Sequence, residues 1–536
     1  MAKQATKKKL STQTGKSVQS GKSMIEVIKR RQTEELVLAF CGPLGAGTTA
    51  VADEIIGILK EFKYSVNKIK LSELIARHIK KVLPELKEDQ LQGDVNWEMP
   101  IDEMDPAVRI AVLQSAGNLL RKKVSNDVLA QLSIKEIAFQ REESQQDSGD
   151  APKIEPRRFA TVLDSLKHPD EVNLLRTVYG NMFYLFGVLC PEHLRKQRLT
   201  DKKKIESANA VQLMERDKSE DEKHGQQLLN TIFHADFFVR NTKDNINSFR
   251  PNLERFVKLI LGEAPITPTK EESAMYYAQS ASARSACLSR QVGASIVSAS
   301  GELISTGCND VPKSGGGLYT QEDGDEDNRC MNLYGKTCMN DEYKDSIFED
   351  IDSILRDEIG NSKKLDAISK RIRTHDRLQN LSEYCRAIHA EMDAITGAAR
   401  KGEVPLRGAS MFCTTFPCHN CARHIIASGI QAVYYIEPYE KSLALKLHKD
   451  AIEFDPDLIE SSDYQSKVIF IPFAGVSPRR YLTLFQAKER KKEGKKIDLD
   501  LKEAKPTIVQ LLDTYREYES KVVKNLEEIG FREEDS

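Results

Sequence analysis

Several things are scarce in this 536-residue chain, and each absence narrows its class. No stretch approaches the roughly 18 consecutive apolar residues of a membrane span. The opening MAKQATKKKLSTQTGKSVQSGKS lacks the apolar middle of a secretory signal. A cytoplasmic protein without a membrane partner is therefore expected. Neither sign of charge dominates: 79 Lys and Arg face 81 Asp and Glu, which excludes a strongly basic nucleic-acid coat. Ten cysteines in such a length fall far below the density of a disulfide scaffold, and two of them form a C-x-x-C, so metal binding is the expected use. No internal repeat of fixed period is present.

What is there calls for two or three compact units, at about 100–200 residues each. Residues 1–31 are rich in Lys, Arg, Ser, Thr and Gln and poor in large apolar groups, so they read as a basic flexible arm that is either solvated or in contact with RNA or another acidic partner. A buried strand over 34–40 (EELVLAF), a glycine-rich CGPLGAGTT and an amphipathic AVADEIIGILKEF predict a strand, loop and helix. Further strand-like runs at 161–166, 182–190 and 235–241 alternate with helical patterns, as in a parallel sheet with crossover helices, and define a first α/β domain over 32–262. The proline-bearing EAPITPT at 263–269 marks a boundary. A second domain over 270–485 offers a helix, a hairpin in VGASIVSASGELISTGCN, a polar insertion over about 313–380, and then helix, strand (ASMFCTTF), helix and strand (AVYYIE). Residues 486–536 read as a charged helical extension, expected to be exposed.

Chemistry concentrates at His389-Ala390-Glu391 and Pro417-Cys418-His419-Asn420-Cys421. A catalytic zinc wants three N or S ligands and one position left for water; His389, Cys418 and Cys421 supply that set. Both cysteines fall at the expected start of a helix, where free N–H groups favour thiolate. Glu391 is one residue removed from the ligand's neighbour and suits a proton carrier instead of a ligand. H-x-E with P-C-x-x-C is the pattern of zinc nucleobase deaminases, in which water attacks C4 of cytosine or C6 of adenine. A structural zinc knuckle would need a fourth ligand and would leave Glu391 idle. Cys330, Cys338 and Cys385, with His375 as a candidate fourth, offer a second, structural zinc in the insertion, although their spacing matches no motif.

Residues 283–312 (ARSACLSRQVGASIVSASGELISTGCNDVP), with HAE and FPCHNCARHIIASGIQAVYY, resemble the deoxycytidylate deaminase family. The resemblance implies a mixed five-stranded sheet with helices on both faces, forming a cytidine-deaminase-like α/β/α domain. In that family the Asn of a G-Y-N-G motif helps hold the nucleotide. Here Gly307-Cys308-Asn309-Asp310 stands in its place, so the role carries to Asn309, whose amide both donates and accepts; a turn asparagine is the plainer alternative. Ser285 and Arg290 are candidate phosphate contacts, or else residues that finish a helix.

Residues 42–49 (GPLGAGTT) fit the glycine spacing of a P-loop, with Thr48 where the lysine should be, so Gly42, Gly45, Gly47, Thr48 and Thr49 are candidate nucleotide-binding residues with phosphoryl transfer in doubt. Asp164, Arg195 and Arg198, with ADFFVRN, resemble nucleoside-monophosphate kinases. A degenerate kinase-like domain joined to a deoxycytidylate deaminase domain is similar to the bacterial anti-phage dCTP deaminases. That resemblance implies conversion of dCTP and dCMP to dUTP and dUMP, depletion of deoxycytidine nucleotides in defence, restraint in some members by an inhibitory small RNA, and a homo-oligomer, with a hexamer the first expectation. A housekeeping dCMP deaminase feeding thymidylate synthesis and a nucleotide-sensing regulator without catalysis are the alternatives.

Overall fold

Strand β1 (Leu36–Cys41) is apolar at every position because both its faces are covered. Leu36, Leu38 and Phe40 enter one core while Val37, Ala39 and Cys41 enter another, the two-residue alternation of a pleated strand. Beside it run β2 (Ser65–Lys70), β3 (Phe159–Asp164), β4 (Phe183–Leu189) and β5 (Phe237–Arg240), all parallel, in the order β5-β4-β1-β3-β2. The helices Thr48–Glu61 and Arg250–Ile260 pack into one core, and Pro106–Lys123 and Val128–Gln146 into the other. The computed structural model describes residues 23–88, 95–146, 156–218, 224–242 and 248–531, except 361–362, 380, 382, 403, 438, 440–441, 455–466 and 487–489. Most of the basic arm, residues 1–22, lies outside the described residues.

The second sheet is built from β6 (Gly293–Val297), β7 (Leu303–Cys308), β8 (Ser410–Thr415), β9 (Ala432–Glu437), β10 (Ile452–Glu453) and β11 (Val468–Pro472), in the order β10-β11-β9-β8-β6-β7. β6 runs antiparallel to β7 and β8, and the remaining pairs are parallel. The expected five strands become six, because two-residue β10 pairs with the outer edge of β11. Helices Ala390–Lys401 and His419–Ser428 share one core with the sheet, through Ala294, Met411, Cys413 and Val433. The helix Lys270–Ser282 lies on the other face, where Ser295 Oγ donates to the Ala274 carbonyl at 2.7 Å. Gly307 permits the approach of the helix bearing Glu391: a Cβ there would come within 2.2 Å of the Ala390 carbonyl oxygen.

The loop near residues 262–269 does not separate two independent cores. Ala274, Met275, Phe412, Ile436 and Phe473 pack with Val37 and Ala39 in a single cluster, and β12 (Gly475–Val476) pairs antiparallel with β5 at the edge of the first sheet. Asp236, 1% exposed, receives Arg480 at 2.8 Å and Arg176 at 2.9 Å. Glu272, equally buried, joins the Arg255 guanidinium to the Val476 N–H.

The expectation of an exposed C-terminal helix needs correction. A helix does form at Leu512–Glu528, but Leu512, Tyr515, Glu519 and Leu526 are buried. The reason is periodicity: these positions fall on one helical stripe, which the charged composition obscured. Leu512 and Tyr515 pack into the first unit's core, Thr33 Oγ1 meets the Tyr515 hydroxyl at 3.1 Å, and Arg141 bridges Glu35 and Glu519. Among the described residues, no helix is long and apolar enough to cross a membrane.

Candidate metal centre and the glycine-rich loop

His389 and Cys418 occupy equivalent places, each the capping residue just before a helix. Extended backbone at both caps turns their side chains toward the gap between the two helix starts, and Cys421, one turn further on, completes the group. His389 Nδ1 is 3.3 Å from Cys418 Sγ and 3.3 Å from Cys421 Sγ. The three ligand atoms lie within 4.8 Å of one another. A tetrahedral zinc with its usual bond lengths would set N and S roughly 3.6 Å apart, so modest expansion around an ion fits the cluster.

The electrostatics also suit a cation. Cys418 is pushed down to about 4, chiefly by its hydrogen bond with Cys421 and then, against burial, by His389. The Cys421 thiol is driven up by the same contact and by burial, since two adjacent sulfurs do not both hold charge without compensation. A dication would lift that conflict. Glu391, 4% exposed, stands in the first turn of the helix that His389 caps. Burial pushes its carboxyl up and the imidazole of His389 pulls it down.

Asn309 lies at the end of β7, and its amide is engaged at both ends: Oδ1 accepts from the Val292 N–H at 2.7 Å and Nδ2 donates to the Arg290 carbonyl at 2.7 Å. Its first task is to clasp the 290–292 segment. Ser285 Oγ donates to the Asn309 carbonyl at 2.5 Å and is buried, so its hydroxyl is spent inside the protein and not on an open phosphate site. Arg290 is the exposed member of the set: its guanidinium donates at 2.8 Å to Oγ1 of Thr415, three residues ahead of Cys418, and pairs with Glu437 at 2.5 Å. Asp310, which the sequence marked only as a departure from glycine, proves to be a clamp. Its carboxylate accepts from the N–H groups of Ala286 and Val311, each at 2.8 Å, and faces Arg329 at 3.6 Å.

The glycine-rich loop joins β1 to the helix Thr48–Glu61, with Gly47 at φ 80°, a conformation glycine adopts without strain. It borders a cavity of about 760 Å³ that also takes in Lys70, Asp164, Lys167, Arg198, Lys202 and Asp217. Its carbonyls are braced from below: Arg195 donates to Leu44, and Arg198 to Gly45 and Ala46. Lys167 Nζ, reaching in from beyond β3, donates to the Gly42 carbonyl at 2.8 Å and pairs with Asp217 at 2.7 Å. Asp217 in turn accepts from the Leu44 N–H at 2.6 Å. A lysine thus stands close to the loop although Thr48 fills the usual lysine position; its origin in the segment after β3, far along the chain, hid it from any local motif.

The decisive match lies in the second half. Residues 268–437 match the cytidine and deoxycytidylate deaminase zinc-binding region. A stretch of 173 residues is similar to the deoxycytidylate deaminases of Enterobacteria phages T2 and T4, at 29% and 28% identity, and makes up 32% of this chain and 82% and 80% of theirs. Among solved structures, the dCMP deaminase of cyanophage S-TIM5 in complex with dCMP and dUMP is 18% identical, with a TM-score of 0.22 and coverage of 39% of this chain and 99% of that one. His389, Glu391, Cys418 and Cys421 all lie within the matched residues, and His389, Cys418 and Cys421 offer the donor set of a zinc centre.

Proposed function

We propose that the chain is a zinc-dependent hydrolytic deaminase of deoxycytidine nucleotides, converting dCMP to dUMP and dCTP to dUTP. The observation that carries this reading is the convergence of His389, Cys418 and Cys421 with a buried carboxylate one helical step away. Zinc at this position would supply a Lewis acid able to make water nucleophilic near neutral pH. Glu391 would take a proton from the attacking water, pass one to the cytosine ring nitrogen, and return one to the amine that leaves as ammonia. The oxygen of water ends on the ring carbon that lost nitrogen, so atoms and charge balance. Seclusion of Glu391 from bulk solvent keeps that proton local. Arg290, exposed beside Thr415 and Glu437, would meet a phosphate of the substrate, a role its exposed guanidinium supports.

We further infer that the glycine-rich loop binds polyphosphate without efficient phosphoryl transfer, a reading favoured by its cavity and by the basic side chains around it. Joined to the deaminase reading, this supports a role in depleting deoxycytidine nucleotides during phage defence. A panel of dCTP, dCMP, CTP and cytosine-containing DNA, followed by ammonia release, tests the substrate class. Release from dCTP and dCMP is expected; activity confined to the polymer would refute the nucleotide reading.

A further inference from the structure

The cavity beside the glycine-rich loop is larger than a phosphate chain needs. At about 760 Å³ it falls among small-molecule sites, which run from about 300 to 1,000 Å³. Its basic groups Lys167 and Arg198 are held at the loop carbonyls, whereas Leu71, Ile75, Ile110, Leu113 and Leu129 give it an apolar wall. Wall and loop are joined, because Leu44 of the loop and Ile110 pack in one cluster with Leu213. The helix Ser207–Lys218, which carries Leu213, also carries the Asp217 that accepts the Leu44 N–H.

One polar side chain among these apolar residues is unsatisfied. Gln114, on the helix Pro106–Lys123, lines the cavity and is 7% exposed. Its Nε2 donates to the Leu213 carbonyl at 3.3 Å, which fixes the orientation of the amide, since a carbonyl accepts only from the NH2 end. Oε1 is left buried with no hydrogen-bond partner. Buried polar atoms are nearly always paired, and an acceptor kept dry without a donor is costly. Arg121, which also lines the cavity, is committed to Glu171 at 2.8 and 3.0 Å.

We propose that the cavity is a nucleotide site in which Gln114 Oε1 reads the base, and that its ligand is a nucleoside triphosphate whose base carries an exocyclic amino group, as cytosine and adenine do. The proposal rests on the polyphosphate reading of the loop and adds the base to it. The apolar wall would cover the ring, and the amino N–H would supply the donor that Oε1 lacks. Uracil and hypoxanthine carry a carbonyl oxygen at that ring position. It would face Oε1 acceptor to acceptor, so the site rejects them. For a cytosine nucleotide, the group read by Gln114 is the one that the proposed deamination removes, and the first unit would tell substrate from product.

The test is calorimetric titration of the full-length protein with inorganic triphosphate, ATP, inosine triphosphate, CTP and UTP. In at least one of the two pairs, ATP with inosine triphosphate or CTP with UTP, the amino member should bind about tenfold more tightly than its carbonyl counterpart. Gln114→Leu should erase that preference and leave the affinity for inorganic triphosphate unchanged. Gly47→Val should erase it too, which assigns the preference to this cavity and not to the candidate metal centre. Should Gln114→Leu fold poorly, photolabelling of wild type with a base-azido analogue of the tighter nucleotide serves instead. Label should enter the helix Pro106–Lys123 or the helix Leu71–Arg77 and be competed by the amino member of the pair alone. Equal affinity within both pairs, a preference that survives Gln114→Leu, or label confined to other segments would overturn the base site and leave the polyphosphate reading standing. Failure of all five compounds to bind would overturn both.

Discussion

The candidate metal cluster and the glycine-rich loop are both built at helix starts, yet they treat their polar groups in opposite ways. At the cluster, His389 and the two cysteines converge on one another and leave Glu391 buried without an ion-pair partner among the described residues. At the loop, the groups that would hold a ligand have internal partners: Asp217 sits on the Leu44 N–H, Lys167 on Asp217, and Arg198 on the loop carbonyls. A buried carboxylate flanked by a lysine and a loop N–H reproduces the charge pattern of a bound phosphate. Helix-start geometry alone does not distinguish a site poised for chemistry from one satisfied by its own chain; the partners of each polar atom do.

The largest effect that separates the two regions should come from Glu391→Ala. Removing a positioned general acid and base costs about 10²–10⁴-fold in turnover, while zinc content stays at the wild-type level because the three ligands remain. Ammonia release with parallel metal analysis checks both halves. Zinc loss in this variant would show that Glu391 is a ligand and would break the assignment. Gly47→Val supplies the counterpart. Its Cβ would stand 2.4 Å from Asn241 Nδ2 at a φ of 80°, so the loop should distort while zinc content is retained.

A smaller energy is expected at the seam between the first unit and the C-terminal helix. Glu519→Ala leaves the buried Arg141 with Glu35 as its remaining carboxylate partner, so the loss is that of one charge-assisted hydrogen bond, about 1.5–3 kcal/mol. Thermal or denaturant unfolding followed at the first unit should register it. Lys521→Ala, on the solvent face of the same helix, should leave the unfolding midpoint close to that of wild type. Glu35 adds a pH signature. Burial raises its carboxyl, but Arg141 and Arg157 outweigh that and hold it below the usual range. Its folded value is depressed, so its stabilisation is complete above the ordinary glutamate range, near pH 4.3, and disappears as pH falls through the lower folded value. The stability gap between wild type and Glu35→Gln should close over that acid window.

The sequence exposed the candidate metal ligands and Glu391 because every member lies within a short motif whose spacing has chemical meaning. Four of the five parallel strands of the first sheet were legible for a related reason, since residues buried on both faces leave unbroken apolar runs such as LVLAFC, whereas β2, SVNKIK, is polar and only partly buried and gave no such run. What escaped was long-range. Lys167 and Asp217 reach the loop from elsewhere in the chain, β12 crosses from the second half to pair with β5, and one stripe of a highly charged helix turns inward. Asn309 illustrates the same limit at short range. A motif can name the residue, but the Arg290 carbonyl and Val292 N–H that hold its amide emerge only once the strand and the preceding loop are folded together.

Asp217 gives the smallest expected effect at either of the two sites and the sharpest test of the contrast between them. If its carboxylate stands where a phosphate group would sit, an entering polyphosphate must displace it from Leu44 and Lys167 or tolerate its repulsion. Asp217→Asn keeps the size and the hydrogen-bonding oxygen but removes the charge, so Lys167 becomes available to the incoming anion. Inorganic triphosphate should then bind about tenfold more tightly, equivalent to about 1.4 kcal/mol, and Lys167→Ala in the same background should reverse the gain. Calorimetric titration of both variants measures this directly. Equal affinity in wild type and Asp217→Asn would mean that the carboxylate is structural and that anions bind elsewhere along the cavity, nearer Lys202 or Lys70.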